Sequence, residues 1–244
     1  MVVSDGGLAR DAQAAFAELS RVLLARRPLT AILGQVARLA RDTLPMTGEA
    51  SVTVVQAGGL ATVGGTGPLA ATLDQRQHDA GLGPCLDAAL AGDTVRIDDT
   101  AAETRYRDFA SVAVGHGVRG VLSVGLVAGP RSVGSLNLYR TGGGPFDAAA
   151  TGLARAFAGY AAGAVVTAAA YARSAETSRH LRLAMQSRAV IEQAKGILVA
   201  RSQCSPEEAF DRLAAESQRT NRKLREIAAD LVATAQVRVR PGPG

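Results

Sequence analysis

Residues 120–139 read Gly-Val-Leu-Ser-Val-Gly-Leu-Val-Ala-Gly-Pro-Arg-Ser-Val-Gly-Ser-Leu-Asn-Leu-Tyr. Apolar residues recur at every second place on both sides of Gly129-Pro130, which predicts a hairpin with strands over Gly120–Val127 and Ser132–Tyr139. Further upstream, Ala50-Ser-Val-Thr-Val-Val55 alternates in the same way, and Gly58-Gly59 turns it into Leu60–Val63. Between the hairpins lie a Gly/Pro-punctuated stretch (Gly64–Pro68) and a short helix predicted over Pro84–Ala91. A brief strand at Val95–Ile97, an Asp98-Asp99 turn and a helix over Ala101–His116 follow. Residues Leu8–Leu44 read as two helices, the second marked by Leu29, Ile32, Leu33, Val36, Leu39 and Ala40 after Pro28. Helices, hairpin, helices, hairpin and helix in that order predict an α+β domain, an antiparallel sheet over about 50–140 with flanking helices.

From Phe146 nothing breaks a helix until about Cys204. Leu153, Phe157, Tyr160, Ala164, Thr167, Tyr171, Ser174, Ser178, Leu181 and Met185 are spaced 4-3-4-3, a seam rich in small residues. With Gly159 and Gly163 it predicts a connecting helix that pairs with a second copy as a coiled coil; the other reading is a helix that only covers the sheet. Ser205-Pro206-Glu207-Glu208 then places Ser at the N-cap, Pro at the first turn and Glu three residues on. That helix is expected to bury Ala209, Phe210, Leu213 and Ala214. A last helix, capped by Thr220 or Asn221, carries Leu224, Ile227, Ala228 and Leu231 on one face and frays after Gln236. The C-terminal part is thus an all-α three-helix unit.

At 244 residues, 47% hydrophobic and 20% charged, the chain is globular, with length for one or two domains. Its formal charge of +5 is unevenly placed. Residues 1–172 carry 14 basic and 14 acidic side chains, whereas residues 173–244 carry 13 and 8, a difference of five. A neutral body with a basic end predicts an acidic partner for that end, nucleic acid first, against the alternative of a solvated Arg-rich surface. Cys85 and Cys204 form no disulfide framework and suit a reducing compartment. Asp5 and Arg10 interrupt the first stretch, and the uncharged run 156–172 is short for a bilayer, so a cytoplasmic protein with no membrane partner is expected.

The residue pattern predicts no enzyme. His78, His116 and His180 share no ligand spacing, so no metal is expected. Neither a phosphate loop nor a nucleophile elbow is present, and Asp98-Asp99 suits a turn. Cys85, inside Pro84-Cys85-Leu86, suits a small buried hydrophobe rather than a redox thiol or a chromophore attachment point.

Two motif sets remain. The first is Ser187-Arg188-Ala-Val-Ile191-Glu-Gln-Ala194-Lys195-Gly196-Ile-Leu198, with Ser205-Pro-Glu-Glu208-Ala209-Phe210-x-x-Leu213 and Ser217-x-x-Thr220-Asn221-Arg222-Lys223-Leu224-x-x-Ile227-Ala228. It closely resembles the ANTAR family, the RNA-binding output domain of bacterial antitermination regulators. The resemblance implies a dimer that binds hairpin loops in nascent mRNA so that a terminator cannot form. Arg188 and Lys195 are seven apart and so share a helical face. Arg219, Arg222 and Lys223 lie about the start of the last helix, beside Ser217, Thr220 and Asn221, a grouping that suits phosphates and looped-out bases. These eight residues are the expected RNA contacts. Pairing within the chain is the alternative for Arg188 and Lys195.

The second set is Gly83-Pro84-Cys85, Val95-x-Ile97-Asp98, Arg105-Tyr106, Gly117-Val118-Arg119 and Gly134-Ser135-Leu136-Asn137-Leu138-Tyr139. It resembles the GAF sensory domains that precede ANTAR in actinobacterial proteins. Leu82 stands where family members often carry Glu, and Tyr106-Arg107 where they carry Trp-Pro. The expected organisation is a GAF-like sensory domain over 1–172, an ANTAR-like domain over 173–240 and a tail over 241–244. The resemblance names no cofactor, and the pocket's small-molecule ligand stays unknown. Two other functions stay open: a DNA-binding transcription factor using the last helix, and a protein-interaction module with a basic face.

Overall fold

The computed structural model of the chain describes residues 5–24, 27–56, 58–142 and 144–239. They fall into two compact units, divided between residues 170 and 171. The first begins with α1 (Asp5–Leu24) and α2 (Leu29–Thr43), followed by β1 (Thr47–Gln56) and β2 (Gly59–Gly65). Next come α3 (Pro68–Ala80), α4 (Pro84–Ala91) and β3 (Thr94–Ile97). After α5 (Arg107–Gly115), strands β4 (Gly120–Ala128) and β5 (Arg131–Arg140) form the expected second hairpin. All neighbours in the sheet are antiparallel, in the order β2-β1-β5-β4-β3.

Alternation along the strands gives the sheet two unlike faces. Ala50, Val52, Val54, Leu122, Val124, Leu126, Leu136 and Leu138 point to one side, into a cluster with α1, α2 and the first part of α6 (Ala148–Ser202). Phe16 of α1 packs against Phe157 and Tyr160 of α6, with ring centroids 4.9 and 5.2 Å apart. The other side carries Ser51, Thr53, Ser123, Ser135, Asn137 and Tyr139, all buried. Beside it Leu73 of α3 and Phe109 of α5 join Tyr139 and Val121 in a second apolar cluster. Gly125 of β4 lies directly under α4: a Cβ there would sit 2.5 Å from the Gly92 carbonyl carbon and 2.7 Å from the Ala88 oxygen.

Three expectations change here. Residues 68–80 form a helix, α3, where no element was expected between the punctuated stretch ending at Pro68 and the helix from Pro84. Pro68 opens it and Gly81, at φ 64°, closes it, but its central run is polar and shows little apolar stripe. The helix expected over Ala101–His116 starts late, because Asp99 accepts the Ala101 N–H and makes a 3-10 turn over Thr100–Ala102 before α5. The seam of α6 is divided. Leu153, Phe157, Tyr160 and Ala164 serve the sheet core, whereas Thr167, Tyr171, Ser174, Ser178, Leu181 and Met185 are exposed. α6 also holds an 18-residue window of mean hydropathy 1.3, long and apolar enough by composition to cross a membrane. Its Phe157, Ala158, Ala161 and Val165 are buried against the sheet core.

The second unit packs the end of α6, α7 (Pro206–Thr220) and α8 (Leu224–Val239) around Ala194, Leu213 and Ala228. Phe210 is 42% exposed, contrary to expectation. Ala209 and Leu213, four apart, take the core face of α7, and Phe210 is turned about 100° from Ala209. α8 continues past Gln236 to Val239, so the chain is still helical where fraying was expected. The expected tail over 241–244 lies outside the described residues.

Candidate functional site

The capping box of α7 forms as read. The Ser205 hydroxyl accepts the Glu208 N–H at 3.1 Å, and the Glu208 carboxylate accepts the Ser205 N–H at 3.0 Å. The far end differs from the reading. Asn221 adopts φ 52°, ψ 33° and closes α7 as its C-cap, rather than opening α8. Asn tolerates this left-handed conformation better than most residues. Lys223 takes the capping place, its carbonyl accepting from Glu226 and Ile227 N–H. Ser217 and Thr220 are tied inward: the Ser217 hydroxyl donates to the Arg222 carbonyl, and that of Thr220 to Glu216 at 2.7 Å. Five expected contact residues, Ser217 and Thr220 to Lys223, therefore build the α7–α8 turn.

The expected cations divide into engaged and unengaged ones. Lys195 is half-buried and holds Glu192 at 3.1 Å, Arg219 holds Glu216 at 2.6 Å, and Arg222 holds Asp230 at 2.7 Å. The hydrogen bonds to Glu216 and Asp230 raise the Arg219 and Arg222 guanidinium pKa values. Among the described residues, Arg188 and Lys223 make no side-chain hydrogen bond or ion pair. Lys195 also lies near Glu207 at the start of α7, whose carboxyl is held below the usual range chiefly by a backbone N–H and the Ser205 hydroxyl. The α7–α8 turn is at the other end of that helix, about 20 Å away by helical rise. Arg188, seven residues before Lys195, is thereby set about 10 Å along α6 from it.

In the first unit the polar face of the sheet carries a hydrogen-bonded network that is buried except at Thr62. The Tyr139 hydroxyl donates to Asp74, which also accepts from Thr62 at 2.7 Å. Gln77 donates to Tyr139 at 3.3 Å and accepts the Cys85 N–H at 2.9 Å. Asn137 donates to Ser51 at 3.2 Å and Thr53 at 3.3 Å. Among the described residues, Ser123 Oγ, Ser135 Oγ and Asn137 Oδ1 find no hydrogen-bond partner. They are neighbours, since Ser123 pairs with Asn137 across β4–β5 and Ser135 is two residues from Asn137. Burial raises the Asp74 carboxyl above its ordinary range, and burial followed by the nearby Asp74 charge raises the Cys85 thiol.

Comparison with known families decides what these units are. A family model of the GAF domain matches residues 26–166, more than half of the chain, and one of the ANTAR domain matches residues 179–232. The chain belongs to the GAF family and carries an ANTAR domain. Both are regulatory domains. No curated protein matches it. Among solved structures, the GAF domain of a phosphoenolpyruvate-protein phosphotransferase from Coxiella burnetii is 15% identical, with a TM-score of 0.54 over 68% of this chain and 98% of that one. The corresponding domain from Acinetobacter is 12% identical, TM-score 0.54, covering 70% and 99%. A free methionine-R-sulfoxide reductase from Neisseria meningitidis, in complex with its substrate, is 18% identical, TM-score 0.52, covering 67% and 92%. At these identities the likeness is one of fold.

Within the GAF domain, the motif Gly134–Tyr139 proves to be the strand that supplies Ser135, Asn137 and Tyr139 to the buried network. Cys85 is buried beside Gln77. Tyr106 is anchored on Asp87, its hydroxyl donating at 2.6 Å, and Arg105 reaches the same carboxylate. Asp74 and Gln77 were not singled out in the sequence, because they sit on the helix that was missed. The ANTAR domain keeps its expected residues on its surface or in its turn.

Proposed function

We propose that this chain is a signal-responsive regulator whose ANTAR domain binds hairpin loops in nascent RNA and so prevents transcription termination. The observation that carries the reading is the match over 179–232, which contains all eight expected contact residues in a folded three-helix unit. The charge difference supports it, because the excess of basic residues lies entirely after residue 172. In this reading Arg188, Lys195, Arg219, Arg222 and Lys223 meet phosphates, and Ser217, Thr220 and Asn221 shape the turn that presents them. The GAF domain registers the signal, and the buried polar face of its sheet is the region we assign to it.

The protein acts as a cytoplasmic homodimer in this reading, paired through the exposed part of the α6 seam. Tyr171, Leu181 and Met185 supply its large side chains, and Gly159 and Gly163 leave open space for close approach. A gel shift comparing hairpin RNA with duplex DNA, with the full chain, tests the function: hairpin RNA is bound and duplex DNA is not. Replacing Lys223 by Ala weakens binding to all RNA variants alike and flattens log K against log salt by about 0.7–0.9. Lys195→Ala has a smaller effect, because Glu192 already holds that ammonium. Preference for duplex DNA, or an unchanged salt slope in Lys223→Ala, would sink the reading.

A further inference from the structure

Between α6 and α8 the ANTAR domain has a shallow groove of about 370 Å³, largely open to solvent. Leu183, Val190 and Ala229 give it apolar lining, while Gln186, Arg225 and Glu226 supply an amide, a guanidinium and a carboxylate. None of these three side chains makes a hydrogen bond or an ion pair among the described residues. In this they differ from Lys195, Arg219 and Arg222, each already held by a carboxylate. Arg188 and Lys223, the unengaged cations of the expected set, lie off the groove: Arg188 is turned about 160° from Gln186 and Val190 on α6, and Lys223 sits in the turn before α8 begins. The slot's own polar ends are therefore free to meet a ligand.

We propose that the groove holds one unpaired base of the bound RNA, with its face on the Arg225 guanidinium and the aliphatic lining and its edge read by Glu226 and Gln186. The inference rests on the RNA-binding reading and adds to it the residues that recognise sequence. A base is planar, with apolar faces and a polar edge, and the groove offers both kinds of surface. No aromatic side chain lines it, so the planar guanidinium is the stacking partner. A carboxylate only accepts hydrogen bonds. Glu226 therefore selects a base that bears an exocyclic amino group, and uracil, with a carbonyl in that place, is disfavoured. Gln186, which both donates and accepts, adds a second contact on the edge. Arg188 and Lys223 meet phosphates elsewhere on the RNA and read no sequence.

The test uses the full chain and a hairpin RNA library with a fixed stem and a randomised loop. The wild type should enrich amino-bearing bases over uracil at one loop position by about tenfold or more. Glu226→Gln, whose amide can donate to the uracil carbonyl, should bring that ratio close to one. Gln186→Ala should reduce it, and both should leave the salt slope unchanged. Lys223→Ala should do the reverse, lowering the slope and keeping the ratio. Circular dichroism melts of each variant verify that the fold is retained. The inference is overturned if Glu226→Gln and Gln186→Ala both keep the wild-type base ratio. It is also overturned if they instead alter the mass seen by light scattering, which would make the groove a contact between copies. If the wild type enriches no hairpin at all, the RNA-binding reading fails and this inference falls with it.

Discussion

Ser51, Thr53, Ser123, Ser135 and Asn137 are buried in the GAF domain, whereas Arg188, Arg219, Arg222 and Lys223 stand exposed in the ANTAR domain. The apolar cores differ to match. The apolar cluster on one face of the GAF sheet draws on six elements, and includes Leu33, Val36, Leu122, Leu136, Leu138 and Phe157. Among the described residues the ANTAR helices bury five hydrophobic residues, Ala194, Ala209, Leu213, Ala228 and Ala235, and four of them are alanines. Burying a polar group without a partner costs about 1–3 kcal/mol, which only a large apolar core can offset several times over. A domain with a large core can therefore keep its polar chemistry inside, where a signal can alter it. A small helical unit must keep its own on the surface, where a long polyanion can reach it.

The largest expected effect probes the small core. Leu213→Ala should cost about 2–5 kcal/mol, a large part of what a unit of this size holds. Hydrogen exchange over residues 206–235 should lose its protection while residues 120–140 stay protected. Retained protection in α7 and α8 would show that the ANTAR core is larger than its buried residues indicate. Next, Asn221→Ala should destabilise by about 1–2 kcal/mol because of its positive φ, and Asn221→Gly should be close to neutral. Urea unfolding that ranks Gly below Ala would contradict the C-cap assignment.

A pair of serines sharpens the comparison through opposite signs. Ser205→Ala removes a helix cap and should cost about 1 kcal/mol. Ser135→Ala removes a buried hydroxyl without a partner and should leave stability unchanged or raise it by up to about 1 kcal/mol. Equal losses in the two urea midpoints would mean that the buried hydroxyl is satisfied.

The smallest effect is a pH slope. Asp74 has its pKa raised by burial, so the native GAF domain keeps a proton that the unfolded chain releases above about pH 3.9. Its contribution to stability therefore declines as pH rises from that value toward the raised native one. Glu207 and Glu216 have lowered values, through hydrogen bonds from a backbone N–H and from Arg219 respectively. Their contribution is present above the usual Glu range and is lost as pH falls through the native values. Asp74→Asn should flatten the first slope alone, read as unfolding midpoints of the GAF domain between pH 4 and 7.

The β4–β5 hairpin, α4 with its Pro84 start, and the Ser205 capping box were legible because each rests on neighbours in sequence. α3 was not, since Thr72, Asp74, Gln75, Arg76, Gln77 and His78 form a polar run with no apolar periodicity to mark a helix. Two of these, Asp74 and Gln77, are buried instead, held by Tyr139 and Cys85, which are remote in sequence. Alternation in the strands showed a polar face but could not show that α3 and α4 cover it. Asn221 was read as opening a helix because Asn suits either end, and only the backbone dihedral distinguishes them. The motif residues of the ANTAR domain were legible one by one, but their partners Glu192, Glu216 and Asp230 were not.

Gly125 lies so close under α4 that the atoms a Cβ would meet are main-chain atoms of Gly92 and Ala88, which no rotamer change can move aside. Every base change in a glycine codon that alters the residue adds at least that carbon. Position 125 therefore has no acceptable neighbour one mutational step away. In a lineage carrying this domain, drift there is closed unless α4 shifts first. A deliberately placed alanine is accordingly the smallest wedge that would separate α4 from the polar face of the sheet.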